Sequence, residues 1–212
     1  MKTYTIERAK LPLPQLSDRV FDPAREPFCA AHPFAAIDCY PWDEGGYRPE
    51  ARAWMVALEG GLGVLLCANE PTIRADAKRW NGDVWLDSCL ECFIRPLVDD
   101  ARYLNIEANA GGAALIGIGE GRGGRSRLPA MPEDFQLQVS RHAGGWWAVR
   151  YVLTYALIRE LFGAVPQAGD ALFGNFYCCD ESIHPHFGAW NPIAAAQPDF
   201  HRPECFGSLQ LS

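Results

Sequence analysis

No run of lysine or arginine interrupts these 212 residues, whose 19 basic and 26 acidic side chains leave a net charge of −7. A phosphate-backbone footprint is therefore missing, and nucleic acid is not an expected partner. Long hydrophobic runs are missing too. The longest, such as 61–68, fall far short of the ~20 residues a membrane helix needs, so no membrane partner is expected. The opening stretch, MKTYTIERAKLPLPQLSDR, has no apolar core of a secretory signal; with that start taken as native, a cytoplasmic protein is expected. There is no internal repeat, no low-complexity tract, no interdomain linker and no Gly-X-Y period despite 20 Gly and 16 Pro. Collagen and coiled coil are excluded, and apolar and charged shares of 49% and 21% exclude a disordered chain. One domain over 1–212 is the expectation, burying roughly 70% of the unfolded surface. Nothing in the sequence sets the oligomeric state.

Cysteine, by contrast, is plentiful at eight residues. In a reducing compartment, and in a chain with core enough, these read as small buried apolar residues with free thiols. Cys89 and Cys92 form a C-x-x-C within a segment of strand composition, where positions three apart point to opposite faces. The neighbours Cys178 and Cys179 diverge in the same way. With no second C-x-x-C at zinc-finger spacing, a structural zinc site on these pairs is not expected.

Short apolar stretches punctuated by Gly, Pro, Asn or Asp predict strands over 3–8, 34–40, 52–58, 63–68, 88–95, 103–109, 113–118, 135–141, 146–153, 172–179 and 206–211. Their spacing suggests an all-β fold, a sandwich or barrel. Gly60-Gly61 and Gly144-Gly145 read as hairpin turns. One helix is predicted over 154–163, with Leu157/Leu161 and Ile158/Phe162 at i, i+4, Thr154 as N-cap and Gly163 just past the end. The glycine-rich stretch 117–127, carrying Arg122, Arg125 and Arg127, reads as a mobile loop; no strong helix follows it, so it is a poor phosphate-binding loop.

Alternation along 84–94 puts Trp85, Asp87, Cys89, Glu91 and Phe93 on one face. Along 103–109 it groups Tyr103, Asn105, Glu107 and Asn109. If the two strands pair, Glu91, Glu107 and Asn109 share one surface beside Trp85. Carboxylates and amides framed by aromatic rings suit a sugar, whose C–H face stacks on a ring while its hydroxyls take planar donors and acceptors. From alternation alone, a solvated sheet face is the simpler reading. The stretch 174–207 crowds His184, His186, Trp190, Phe200, His201 and Arg202 into loop-type sequence, where binding groups concentrate. Asp180, Glu181, His184, His186 and His201 give an alternative, a His-lined metal scaffold, but His-Pro-His lacks the i, i+4 spacing of helical zinc motifs.

The blocks VWLDSCLECFI (84–94), YLNIEANAG (103–111), WAVRYVL (147–153), GNFY (174–177) and PDFHRPECFGSL (198–209) resemble, in order, those of the family 9 carbohydrate-binding modules. More closely, the chain resembles the stand-alone bacterial "carbohydrate-binding family 9-like" proteins. That resemblance implies an antiparallel two-sheet β-sandwich, jelly-roll-like, that binds a mono- or oligosaccharide without catalytic residues. It places an aromatic clamp at Trp85 and Phe200 and a carboxylate at Glu91. Glu107 stands where those modules have arginine, Asn109 where they have asparagine, and Tyr177 where they have glutamine. Trp190 and His201 complete the expected ligand-binding set, and Trp42 is expected to be a packing residue near the N-terminal strand. Calcium is the only cofactor the resemblance implies, with no ligand cluster evident for it. A competing expectation is a glycoside hydrolase using Glu91 and Glu107 as acid and base, which needs carboxyls ~5 to 9 Å apart across the scissile bond.

Overall fold

The apolar segments become strands in the computed structural model, which describes residues 1–43, 46–182 and 184–212. In chain order the first elements are β1 (Thr3–Ile6), α1 (Pro27–Ala31), β2 (Ala35–Ile37), β3 (Ala51–Leu58), β4 (Gly61–Asn69), β5 (Cys89–Arg95) and β6 (Tyr103–Asn109). There follow β7 (Ala114–Gly119), β8 (Ser126–Arg127), β9 (Gln138–Val139), β10 (Trp146–Thr154), α2 (Tyr155–Phe162), β11 (Ala171–Asp180), β12 (His186–Ala189) and β13 (Gly207–Leu211). One sheet runs β1-β13-β11-β5-β6-β7-β8, with β12 beside the far end of β11; the other runs β2-β3-β4-β10-β9. Pairing is antiparallel except between β1 and β13. The two sheets stack as a β-sandwich.

Period-two alternation decides what lies between the sheets. Leu90, Cys92 and Ile94 of β5 and Leu104, Ile106 and Ala108 of β6 meet Val64 and Leu66 of β4 and Trp147, Val149 and Tyr151 of β10. Burying side chains of this size stabilises the fold by roughly 1.5–3 kcal/mol each. The outer face of the five-stranded sheet is covered as well, by Leu13, Leu16, Phe21 and Phe28 of the N-terminal segment lying over Trp54, Leu65 and Cys67. The outer face of the larger sheet carries a second apolar cluster that includes Phe93, Tyr103, Tyr177 and Phe200. There the cover is partial, and an open cleft remains.

The helix forms where the pattern predicts it. Thr154 accepts from the Leu157 backbone N–H, and Gly163, at φ 80°, closes the C-terminus in the left-handed conformation a β-carbon disfavours. Three segments differ from expectation. Residues 84–94 are not one strand: Val84–Leu86 form a 3-10 turn, and pairing begins only at Cys89. Of 135–141 only Gln138–Val139 form a strand; Arg141 makes an isolated bridge to Val20, and Phe135 turns inward and stacks on Tyr151 at 4.8 Å. The stretch 117–127 is no free loop, since Ser126 and Arg127 pair with β7. The short β12, HFGA, has too little strand composition to be seen in the sequence; its pairing with β11 supplies what its propensity lacks.

All eight cysteines are free thiols. Cys92 and Cys178 face the inter-sheet core while Cys89 and Cys179 face outward, so each close pair does diverge. Register adds what spacing did not reveal: β5 and β11 set Cys89 opposite Cys179. Titration of the unfolded, non-oxidised protein with a thiol reagent is expected to find all eight groups. A titre lower by two would mean a bridge and would contradict the free-thiol reading.

Candidate cleft on the outer face of the larger sheet

Register builds the floor of the cleft. Glu91 on β5 lies directly opposite Glu107 on β6 and, on its other side, opposite Tyr177 on β11; Phe93 lies opposite Asn105. The cavity above them has a volume of about 420 Å³ and is lined further by Trp85, Phe187 and Phe200, by Arg122, Arg125 and Arg127, and by Cys179, Glu181, Asp199 and His201. This falls within the roughly 300–1,000 Å³ of small-molecule sites.

Both floor carboxyls are buried. Cys179 Sγ donates to Glu91 Oε1 at 3.2 Å, and Asn105 Nδ2 donates to Glu107 Oε1 at 2.6 Å. Glu107 Oε2 is buried with no hydrogen-bond partner among the described residues. Burial pushes Glu91 well above the usual carboxylate range, and the charge of Glu107 pushes it further. Burial raises Glu107 too, but the Asn105 hydrogen bond and the positive charges of Arg127, Arg125 and Arg122 work against the rise. Two adjacent buried carboxylates do not both ionise at low cost. Of the two, Glu91 is held more strongly toward its protonated form.

The walls are aromatic. On one side Trp85, half-buried on its 3-10 turn, carries the Arg127 guanidinium 5.2 Å from its ring centroid. On the other, Phe200 lies flat on Tyr177, with centroids 4.1 Å apart and planes at 8°. The Tyr177 hydroxyl donates to the Phe200 carbonyl at 3.1 Å and fixes the loop that carries the ring. Arg125 lies 4.5 Å from the Tyr103 ring centroid and donates to the Asn105 side-chain carbonyl. This close approach requires Gly117, where a β-carbon would collide with the Asn105 amide. Arg122 pairs with Asp199 at 3.0 Å, tying the 120–125 loop to the 198–201 loop across the cleft. His201 Nδ1 shares a 2.8 Å hydrogen bond with the Tyr103 hydroxyl. Burial, then the Arg125 and Arg122 charges, lower its pKa to about 4, so the imidazole is neutral at physiological pH.

Of the eight expected site residues, the structure brings together Trp85, Glu91, Glu107, Phe200 and His201. The other three do other work. Asn109 organises the turn after β6: it accepts from the Gly111 and Ala113 backbone and donates to Asp87 Oδ2 at 2.7 Å and to the Ala77 carbonyl. Tyr177 is buried beneath Phe200 and supports the wall rather than forming it. Trp190 belongs to the inter-sheet core, between Tyr4 and Phe176 at 6.4 and 5.6 Å. It fits only because position 207 is glycine, whose added β-carbon would enter the indole. Asp87, grouped with Glu91 by alternation, lies outside the cleft, where it accepts from Asn109 and pairs with Arg74 at 3.5 Å. Trp42 does pack, but against the outer apolar cluster, where its ring stands 6.1 Å from Phe200 and 6.3 Å from Phe187.

Sequence reasoning missed the three arginines, Asn105, Phe93 and Phe187. The signal was present: three arginines within six residues, just after strands whose shared face carries two carboxylates. The imagined metal set does not converge. His201 and Glu181 line the cleft, His184 is exposed, Asp180 accepts from Ser88 and Ser182, and His186 lies buried beside Glu70 and Cys178. Two clusters of metal-ligating side chains occur among the described residues, Cys89/Glu91/Cys179 and Glu70/Cys178/His186. Each contains a thiol, so neither is the all-oxygen set that calcium takes.

Comparison with other proteins places this geometry. Residues 28–211 match carbohydrate-binding family 9. A search of curated proteins finds no match. Among solved structures, a proposed carbohydrate-binding protein from Bacteroides uniformis is similar at 26% identity and TM-score 0.80, over 100% of this chain and 99% of that one. Two structures of a family 9 carbohydrate-binding module from Caldicellulosiruptor kristjanssonii share 11% identity. The glucose complex gives TM-score 0.62 over 100% of this chain and 96% of that one. The cellotriose complex gives 0.63 over 100% and 94%. The β-sandwich and the match over most of its length together show that this chain belongs to carbohydrate-binding family 9.

Proposed function

We propose that the cleft over Glu91 and Glu107 binds a mono- or oligosaccharide without cleaving it. The observation that carries this reading is the floor itself: two adjacent buried carboxyls, Glu91 held toward its protonated form and Glu107 with a buried oxygen that has no partner among the described residues, under walls formed by Trp85 and Phe200. Sugar hydroxyls both donate and accept hydrogen bonds, and the apolar C–H face of a pyranose matches the rings. The Caldicellulosiruptor module holds glucose in one structure and cellotriose in another, which makes these the first probes. Charge reversal at 107 relative to the family's arginine is met by Arg125 and Arg127 arriving from the neighbouring loop and strand. The cleft therefore keeps a guanidinium, delivered from a different place.

Both carboxyls project side by side from one sheet face, so they meet a sugar from below. A hydrolase needs them on either side of a scissile bond. Incubation with oligosaccharide and aryl-glycoside panels across pH 4–9 is expected to release no sugar. Turnover that vanishes in both Glu91→Gln and Glu107→Gln would replace the binding reading with a hydrolytic one.

A further inference from the structure

A second group of polar side chains lies away from the cleft, at the edge of the inter-sheet space. Glu70, just past β4, Cys178 on β11 and His186 on β12 are all buried, and their ligand atoms lie within 4.8 Å of one another. Cys178 Sγ is 3.5 Å from His186 Nε2, and Glu70 Oε1 is 3.7 Å from the same nitrogen. We infer that Glu70, Cys178 and His186 form a binding site for a borderline divalent transition metal, with Zn²⁺ as the reference ion, that staples the two sheets together.

The spacing fits the ion. With metal bonds of about 2.3 Å to sulfur and about 2.0–2.2 Å to nitrogen and oxygen, tetrahedral ligands stand roughly 3.6 Å apart for S···N and 3.4 Å for N···O. The observed separations are close to both, so small side-chain adjustments would enclose a cation. The surrounding hydrogen bonds orient the donors. His186 Nδ1 lies 2.7 Å from the His184 carbonyl, which only accepts; Nδ1 therefore carries the proton and Nε2 presents its lone pair to the cluster. The Trp147 indole N–H donates to Glu70 Oε2 at 2.7 Å, leaving Oε1 turned toward His186. No Lys or Arg pairs with the Glu70 carboxylate among the described residues, and a buried carboxylate without a counter-charge is costly. The Tyr47 ring stands 5.4 Å from His186, and its buried hydroxyl has no partner among the described residues. That oxygen or a water would complete four-coordination. One sulfur, one imidazole and one carboxylate make a mixed donor set, suited to zinc and its neighbours rather than to calcium or magnesium.

Glu70 directly follows β4 of the five-stranded sheet, which also holds Trp147, while Cys178 and His186 lie in the larger sheet, so a bound ion would cross-link the sandwich. The test uses Co²⁺ as a spectroscopic probe on the whole chain stripped with chelator. One equivalent of Co²⁺ is expected to give a thiolate-to-cobalt charge-transfer band that Zn²⁺ abolishes. Zn²⁺ at a hundredfold excess over its Kd is expected to raise the melting temperature by roughly 5–10 °C. Cys178→Ser is expected to lose the band and Cys205→Ser to keep it. His186→Ala and Glu70→Gln retain the thiol and are expected to weaken cobalt binding by at least about tenfold. The inference is overturned if the wild-type protein shows no charge-transfer band, or if the band survives in Cys178→Ser. It is overturned equally if folded His186→Ala and Glu70→Gln both bind cobalt as the wild type does. None of the three residues lines the saccharide cleft, so each outcome is independent of sugar binding.

Discussion

Trp190→Ala is expected to cost about 3 to 5 kcal/mol of stability, whereas Trp85→Ala leaves the melting temperature nearly unchanged. Both indoles were expected in the ligand-binding set. Their surroundings differ. Trp190 is 4% exposed and wedged between Tyr4, Phe176 and the bare backbone of Gly207, so truncation leaves a cavity between the sheets. Trp85 is half-buried on a short turn, at the margin of the outer apolar cluster, and carries the Arg127 guanidinium over its ring. An exposed contact of that kind contributes about 0.5–1 kcal/mol. In a chain of this size 1 kcal/mol moves the melting temperature by roughly 2–4 °C. Differential scanning calorimetry of the two variants separates the cases. A Trp85→Ala protein that melts as early as Trp190→Ala would make Trp85 a core residue and move the cleft elsewhere. Trp42 is coupled to the cleft wall through its contact with Phe200, so its truncation would affect stability and binding together.

The second large effect has an opposite sign for folding and for binding. Glu91→Gln is expected to stabilise the unliganded protein by about 1 to 3 kcal/mol at pH 7–8, to have little effect near pH 4, and to weaken saccharide binding at least about tenfold. The sign follows from the direction of the shift. Burial and the neighbouring Glu107 raise the folded-state pKa of Glu91 above its unfolded value. Below the unfolded value, about 4.3, the carboxyl is protonated in both states and carries no penalty. As pH rises beyond it, the unfolded chain releases a proton that the folded chain keeps, and stability falls until the folded pKa is passed. Glutamine has no proton to lose, and its carbonyl still accepts from Cys179. Urea unfolding of wild type and variant at pH 4, 6 and 8 measures the divergence. Equal stability at all three would mean that Glu91 is ionised and solvated, and that the floor described above is wrong.

What was legible in the sequence follows the physics of alternation. The faces of β5 and β6 could be assigned because their periodicity is regular, and the assignment brought Glu91 and Glu107 together correctly. It did not carry Asp87 into the cleft, because Asn109 and Arg74 hold that carboxylate beside the turn after β6. Position in the family's order carried Trp85 and Phe200 to the cleft but also suggested Tyr177, which a neighbouring ring covers. No local rule records that covering, since Tyr177 and Phe200 are distant in the chain. The arginines were visible as residues and invisible as ligands: a glycine-rich composition reads as mobility, whereas β8 pairing and the Arg122–Asp199 ion pair fix the segment. Glu70, Cys178 and His186 lie on three segments of two sheets, so no spacing motif announces them.

The central claim is that a sugar sits between Trp85 and Phe200 above the two carboxyls. Isothermal titration calorimetry tests it most directly, using the strongest ligand from a glycan array that includes glucose and cellotriose, with wild type and folded Trp85→Ala side by side. Ring contact contributes roughly 25 cal/mol per Å² removed from water, so loss of the indole is expected to weaken binding by about 1 to 3 kcal/mol, or ~5- to 150-fold. A folded Trp85→Ala protein that binds the same glycan with the wild-type Kd would contradict the account.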